Sequence, residues 1–122
     1  MTRPDAEIID AWYRKVTAMQ AHEVLFETQD DDGEYTPEAQ ALWDTIGAAD
    51  ADILNLDVVS LAGIEVKLWN AMRHMFHYAD EMNELMARDP DALLARGESL
   101  DFDARQLLSA IKALRALQMR EG

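Results

Sequence analysis

Residues 53–88 carry one sustained helical pattern, nearly all apolar over its first half. Steps of seven give Leu54, Leu61, Leu68, Met75 and Met82. A second row, offset by three, gives Ile64, Ala71, Tyr78 and Leu85. Around Leu61 to Trp69 the flanks are apolar too. A helix that is apolar almost all round belongs at the buried centre of a helical bundle. The pattern predicts a long central helix over about residues 60–88, with Leu61, Leu68 and Met75 buried.

Other helices flank it. From Pro4 to Glu27 a stripe of Ile9, Trp12, Val16, Met19 and Phe26, with Ile8 and Leu25 beside it, predicts a first helix. Thr2 is its expected cap, Pro4 suits the first turn, and Asp5 and Glu7 favour the positive end of the dipole. Thr36-Pro37-Glu38 starts a second helix carrying Ala39, Leu42, Trp43, Ile46, Ala49 and Ile53. Asn55-Leu56-Asp57-Val58-Val59-Ser60 is rich in β-branched and capping residues, so a short turn is expected there, with Asp57 or Ser60 starting the central helix. Asp89-Pro90-Asp91 caps a short helical turn closed at Gly97. A last long helix follows a cap between Ser99 and Asp103, with Ala104, Leu107, Leu108, Ile111, Leu114 and Leu117 on one face. No alternating strand pattern occurs. The expectation is an all-α chain, a four-helix bundle or an irregular helical domain, built as a single domain over residues 1–122. Seven methionines suit such a core as adaptable filler.

Composition narrows the function classes. The chain has no cysteine, which excludes disulfides, thiolate zinc sites and a cysteine nucleophile. The N-terminus lacks the apolar run of a signal peptide, and Asn55, Asp57, Ser60, Glu65 and Lys67 interrupt the most apolar region. The default expectation is a soluble cytoplasmic protein. Net charge is −13, unevenly spread: residues 1–57 hold 14 acids against Arg3, Arg14 and Lys15, net −11, while residues 58–122 are net −2. A field of this sign repels nucleic acid and anionic membrane and attracts a basic protein surface. Asp30, Asp31, Asp32 and Glu34, with Asp50 and Asp52, are the acids expected to meet such a partner. The plainer account is that the charge only solubilises.

Other chemistry is thinner. Aligned on Gly33, Asp30 and Asp32 fall at ligand positions of a calcium loop, and this loop alone resembles an EF-hand. Thr28 and Ala39 stand where its first ligand and its bidentate glutamate belong, so tight calcium binding is not expected. His74, His77 and Glu81 lie at helical spacing, and His22, Glu23 and Glu65 could join them as weak metal candidates in a bundle. His77-x-x-x-Glu81 superficially resembles one helix of a hemerythrin-like iron site, whose other ligands are missing here. No metal or cofactor is expected. Glu23 and Glu65 each interrupt an apolar stripe. Facing carboxylates there could do acid–base work, with Lys15, Lys67 or Arg73 as partners; boundary positions with the head in water are the commoner explanation. Ser60, Ser99 and Ser109 sit in no Gly-x-Ser-x-Gly setting, and the bases do not cluster with aromatics.

Ser60-Leu61-Ala62-Gly63 followed by Lys67 resembles the Ser/Thr-Leu-Ala-Gly-x-x-x-Lys core of small uncharacterised all-helical proteins of proteobacteria and their prophages. In those proteins the preceding helix break often holds a proline, which this chain lacks near Asp57. The resemblance rests on this short segment and implies a helical fold without implying an activity. Two functional readings follow from the residues. One is a non-enzymatic acidic interaction protein that docks a basic partner, in a specific version a phage or mobile-element inhibitor that mimics nucleic-acid charge. The other is a bundle that holds a small ligand or a metal ion, in one version an enzyme. Either is compatible with a homodimer.

Overall fold

A computed structural model describes residues 5–28, 36–76 and 79–121, without the side chains of residues 26–28, 74, 79 and 121. The described residues form six α-helices and no strand. They are α1 (Ala6–Thr28), α2 (Pro37–Asn55), α3 (Leu61–Met72), α4 (Ala79–Met86), α5 (Pro90–Leu94) and α6 (Phe102–Glu121), with 3₁₀ turns at Arg73–Met75 and Gly97–Ser99. The all-α expectation is met. Among the described residues, no helix is long and apolar enough to cross a membrane. The chain packs as two compact units, Met1–Asp57 and Val58–Gly122.

In the first unit α1 and α2 pack side by side. Thr36 caps α2 as expected: its hydroxyl accepts from the Ala39 amide at 3.2 Å, and Pro37 takes the first helical position, where no amide is missed. The buried residues of α2 are Ala39, Ile46, Ala49 and Ile53, one helical face. On α1 they are Ile8, Ala11, Trp12, Lys15 and Ala18. Ile9, Val16 and Met19 are only half-buried, so the core face is turned from the expected stripe, and it contains a lysine. Thr2 lies outside the described residues. So do Asp30 to Glu34, and with them the calcium loop.

The second unit begins where Ser60 accepts from the Gly63 amide at 3.1 Å and starts α3. The continuous helix expected over residues 60–88 is not formed. α3 ends at Met72, a 3₁₀ turn follows, and Phe76 is extended at φ −117°, ψ 134°. The reason lies in the rotation per residue. Trp69, Met72 and Phe76 on one side of the break and Glu81 and Leu85 on the other are all buried. At 100° per residue a straight helix would turn Leu85 about 160° away from Trp69, onto the opposite face. Breaking the helix lets both sets face inward. The buried face of α3 is Glu65, Val66, Trp69 and Met72, whereas Leu61, Leu68 and Met75 are half-buried. Leu54, placed at the head of the stripe by spacing, is 75% exposed at the end of α2.

The remaining corners are local chemistry. α4 closes with Arg88 at φ +53°, the Arg88 amide donating to the Leu85 carbonyl and the Asp89 amide to that of Glu84. That is the Schellman arrangement, with arginine where glycine is usual. The left-handed conformation costs arginine about 1 kcal/mol or more. Asp89 then caps α5 through the Ala92 amide, Pro90 follows, and Gly97 at φ +59° ends the excursion, as expected from the sequence. Leu93 of α5, Leu100 after the second 3₁₀ turn, and Ala104, Leu108 and Ile111 of α6 complete the core.

Candidate functional site

The acidic unit spends its described bases on its own acids. Arg14 on α1 donates to Asp10 at 3.1 Å, one helical turn back, and to Asp52 on α2 at 3.0 Å. The bond to Asp52 is the main cause of an Arg14 pKa raised above the ordinary arginine value, against desolvation that lowers it. One residue on, Lys15 is 2% exposed, and its ammonium reaches Asp50 at 2.5 Å while lying 6.0 Å over the Trp12 ring. Lys15 thus stands in the core face of α1 with its charge balanced from α2. Asp50 and Asp52, expected from the sequence to meet a partner, are engaged inside the unit. Glu7, Glu23, Glu38, Asp44 and Asp57 are exposed. Their charge, with the surplus negative charge of the exposed Asp10–Arg14–Asp52 cluster, is what the described part of this unit presents outward.

Lys15 and Asp50 make an asymmetric pair. Lys15→Met keeps the buried stem and leaves Asp50, about one-third exposed, to water. Its expected cost is below about 1 kcal/mol. Asp50→Asn instead replaces the carboxylate beside a buried ammonium with a neutral amide and should cost about 1–2 kcal/mol once the exposure of Asp50 is discounted. Urea unfolding of the two variants checks this order. A larger loss for Lys15→Met would contradict this order and show that the ammonium contributes more than its bond to Asp50.

The second unit holds the most connected side chains. Glu65, 5% exposed on α3, accepts from Arg115 of α6 in a two-pronged bridge, Nε to Oε1 at 2.8 Å and Nη2 to Oε2 at 3.1 Å. The Trp69 indole N–H donates to Glu65 Oε2 at 3.1 Å, and the Arg88 guanidinium stands 3.9 Å away. Arg115 Nη2 also donates to the Arg88 carbonyl at 2.7 Å. One guanidinium therefore ties α3, α6 and the left-handed corner after α4. Its pKa is raised, chiefly by the bond to Glu65 and against desolvation. Arginine stays charged through the neutral and mildly alkaline range in any case, so from its side the bridge is no pH switch. The carboxylate is buried and met by donors on both oxygens. The expectation of a boundary glutamate is corrected here, and its partners are Arg115 and Arg88 instead of Lys15, Lys67 or Arg73. Nearby, Arg96 grips Glu84 with two bonds at 2.8 and 2.9 Å, and Lys112 pairs with Asp91 at 2.8 Å.

The weak metal candidates are not gathered by what is described. Glu23 is exposed on α1, and His22 packs its ring edge-on against Trp43 at 5.0 Å between centroids. Glu65 is taken by Arg115, and Glu81 is buried on α4. The His74 side chain and His77 lie outside the described residues. Among the described residues no group of three or more histidine, aspartate or glutamate side chains stands close enough to hold a metal ion. Arg115 does not stand out in the sequence as the partner of Glu65: it is one of several bases along α6, and 50 residues separate the pair.

Comparison with protein-family models, with curated proteins and with solved structures finds no match to this chain.

Proposed function

We propose that this chain is a non-enzymatic interaction protein whose acidic first unit docks a basic surface of a partner protein. One observation carries the reading. Residues 1–57 are net −11, and the described bases of that stretch, Arg14 and Lys15, are already bonded to Asp10, Asp52 and Asp50. The surplus negative charge is thus left to the outer acids, among them Glu7, Glu23, Glu38 and Asp44, and in sequence Asp30, Asp31, Asp32 and Glu34. Such a field steers a basic partner into contact and rejects nucleic acid. The specific version is an inhibitor, of the kind carried by phages or mobile elements, that occupies a nucleic-acid-binding groove by mimicking phosphate charge.

The test is capture of purified basic nucleic-acid-binding proteins on the immobilised chain, with and without their own DNA or RNA. Capture that falls with salt and is competed by the nucleic acid supports mimicry. Salt-sensitive capture without competition supports docking on another basic surface. Absence of salt-sensitive capture across the panel overturns the reading.

A further inference from the structure

Unit one has a second apolar feature besides its core. On the face beside the buried stripe, α1 and α2 leave an open trough. Small exposed residues line it, Ala21 and Ala41 with Thr17 and Thr45, together with the half-buried Leu42. The part lined by Val24 and Glu38 has a volume of about 480 Å³. It continues past Leu42 to Tyr13, which is 56% exposed, and to Asp10 and Arg14. From Asp10 to Leu25 the α1 wall runs about 22 Å at 1.5 Å per residue, room for a helix of about 15 residues. Both ends are acidic: Glu38 at one, and at the other Arg14 held between Asp10 and Asp52, a cluster of net −1.

We propose that this trough seats an amphipathic basic helix of a partner protein, apolar side chains over Ala21 and Ala41 and lysine or arginine at the two acidic ends. This deepens the interaction reading and rests on it. Charge selects the occupant. A second copy would bring another −11 stretch against the first, and like charges at this density repel. A basic helix meets an opposite field and places its apolar stripe where small residues allow close approach.

The probe is a synthetic 15-residue peptide with leucine at one helical stripe and lysine elsewhere, titrated into the isotopically labelled full chain. A control peptide carries glutamine in place of lysine. A variant with Ala21→Gln and Ala41→Gln fills the small lining without changing charge, and glutamine is a good helix former. Unchanged helicity and melting temperature certify its fold. The expected result is amide shifts centred on Ala21, Val24, Ala41 and Leu42, about tenfold weaker binding by the variant, and weaker binding of the glutamine peptide. Lysine-peptide binding that the variant leaves unaltered, with shifts elsewhere, overturns the trough while the acidic reading stands. Equal, salt-insensitive binding of both peptides in the trough overturns the basic occupant and the acidic reading with it. Sedimentation showing a dimer that the Ala→Gln variant dissolves assigns the trough to a second copy and overturns the proposal.

Discussion

Trp69→Ala should cost about 3–5 kcal/mol, the range for deleting a large buried aromatic and leaving its cavity. Trp69 is fully buried on the inner face of α3, and its indole N–H donates to Glu65. Truncation removes the largest side chain of the second unit's core and one donor of a buried carboxylate. A unit of this size has little stability to lose, so α3 and α6 should exchange their amides far faster than in the parent. Trp69→Phe keeps most of the volume and loses the donor, and should cost roughly 1–2 kcal/mol. Urea unfolding followed by far-ultraviolet circular dichroism separates the two. A loss below about 0.5 kcal/mol for Trp69→Ala would remove the assignment of α3 as a core helix.

Arg115→Met should come next. It leaves the Glu65 carboxylate buried with Trp69 and with Arg88 at 3.9 Å. Breaking a buried pair from one side costs about 3–5 kcal/mol. Arg115 is 38% exposed and water can partly replace it, which brings the expectation to roughly 2–3 kcal/mol. The Arg88 carbonyl loses its donor too, at a corner already holding arginine at positive φ. Glu65→Gln with Arg115→Met removes both charges and keeps an acceptor for Trp69, so it should be more stable than Arg115→Met alone. The four-way comparison measures this directly, and additive losses would mean that the bridge contributes nothing beyond its two parts.

What could be read from the sequence was local. Ser60, Thr36-Pro37, Asp89-Pro90 and Gly97 act within a few residues of themselves, through caps and fixed backbone angles, and each stands where its type suggests. What could not be read was tertiary. The break after Met72 has no glycine or proline to announce it; it is imposed because Trp69 and Leu85 must share a core. Leu54 belongs to α2, ahead of the break before Ser60, and on α3 Leu61 and Leu68 stand about 80–100° round the helix from Trp69, at the side of the buried face. Lys15 stood in plain view among apolar neighbours, yet its bond to Asp50 on α2 could not be read from them. Glu65 was visible as an interruption of the stripe, but its partner on α6 was not. For the candidate site, the surplus of acid in residues 1–57 was legible by counting. That Asp50 and Asp52 answer Lys15 and Arg14 required the pairing of α1 with α2.

The direct measurement of charge-guided docking is the association rate of a captured basic partner as a function of salt, for the parent and two neutralised sets. One set converts Asp30, Asp31 and Asp32 to Asn and Glu34 to Gln; the other does the same to Asp101, Asp103 and Glu98 of the second unit. Steering charges act through a field screened over about 8 Å at physiological ionic strength. The first set should therefore slow association and flatten its salt dependence, leaving the melting temperature nearly unchanged. The second should alter association less. Equal effects from the two sets, or an association rate indifferent to salt in the parent, would contradict docking through the acidic first unit.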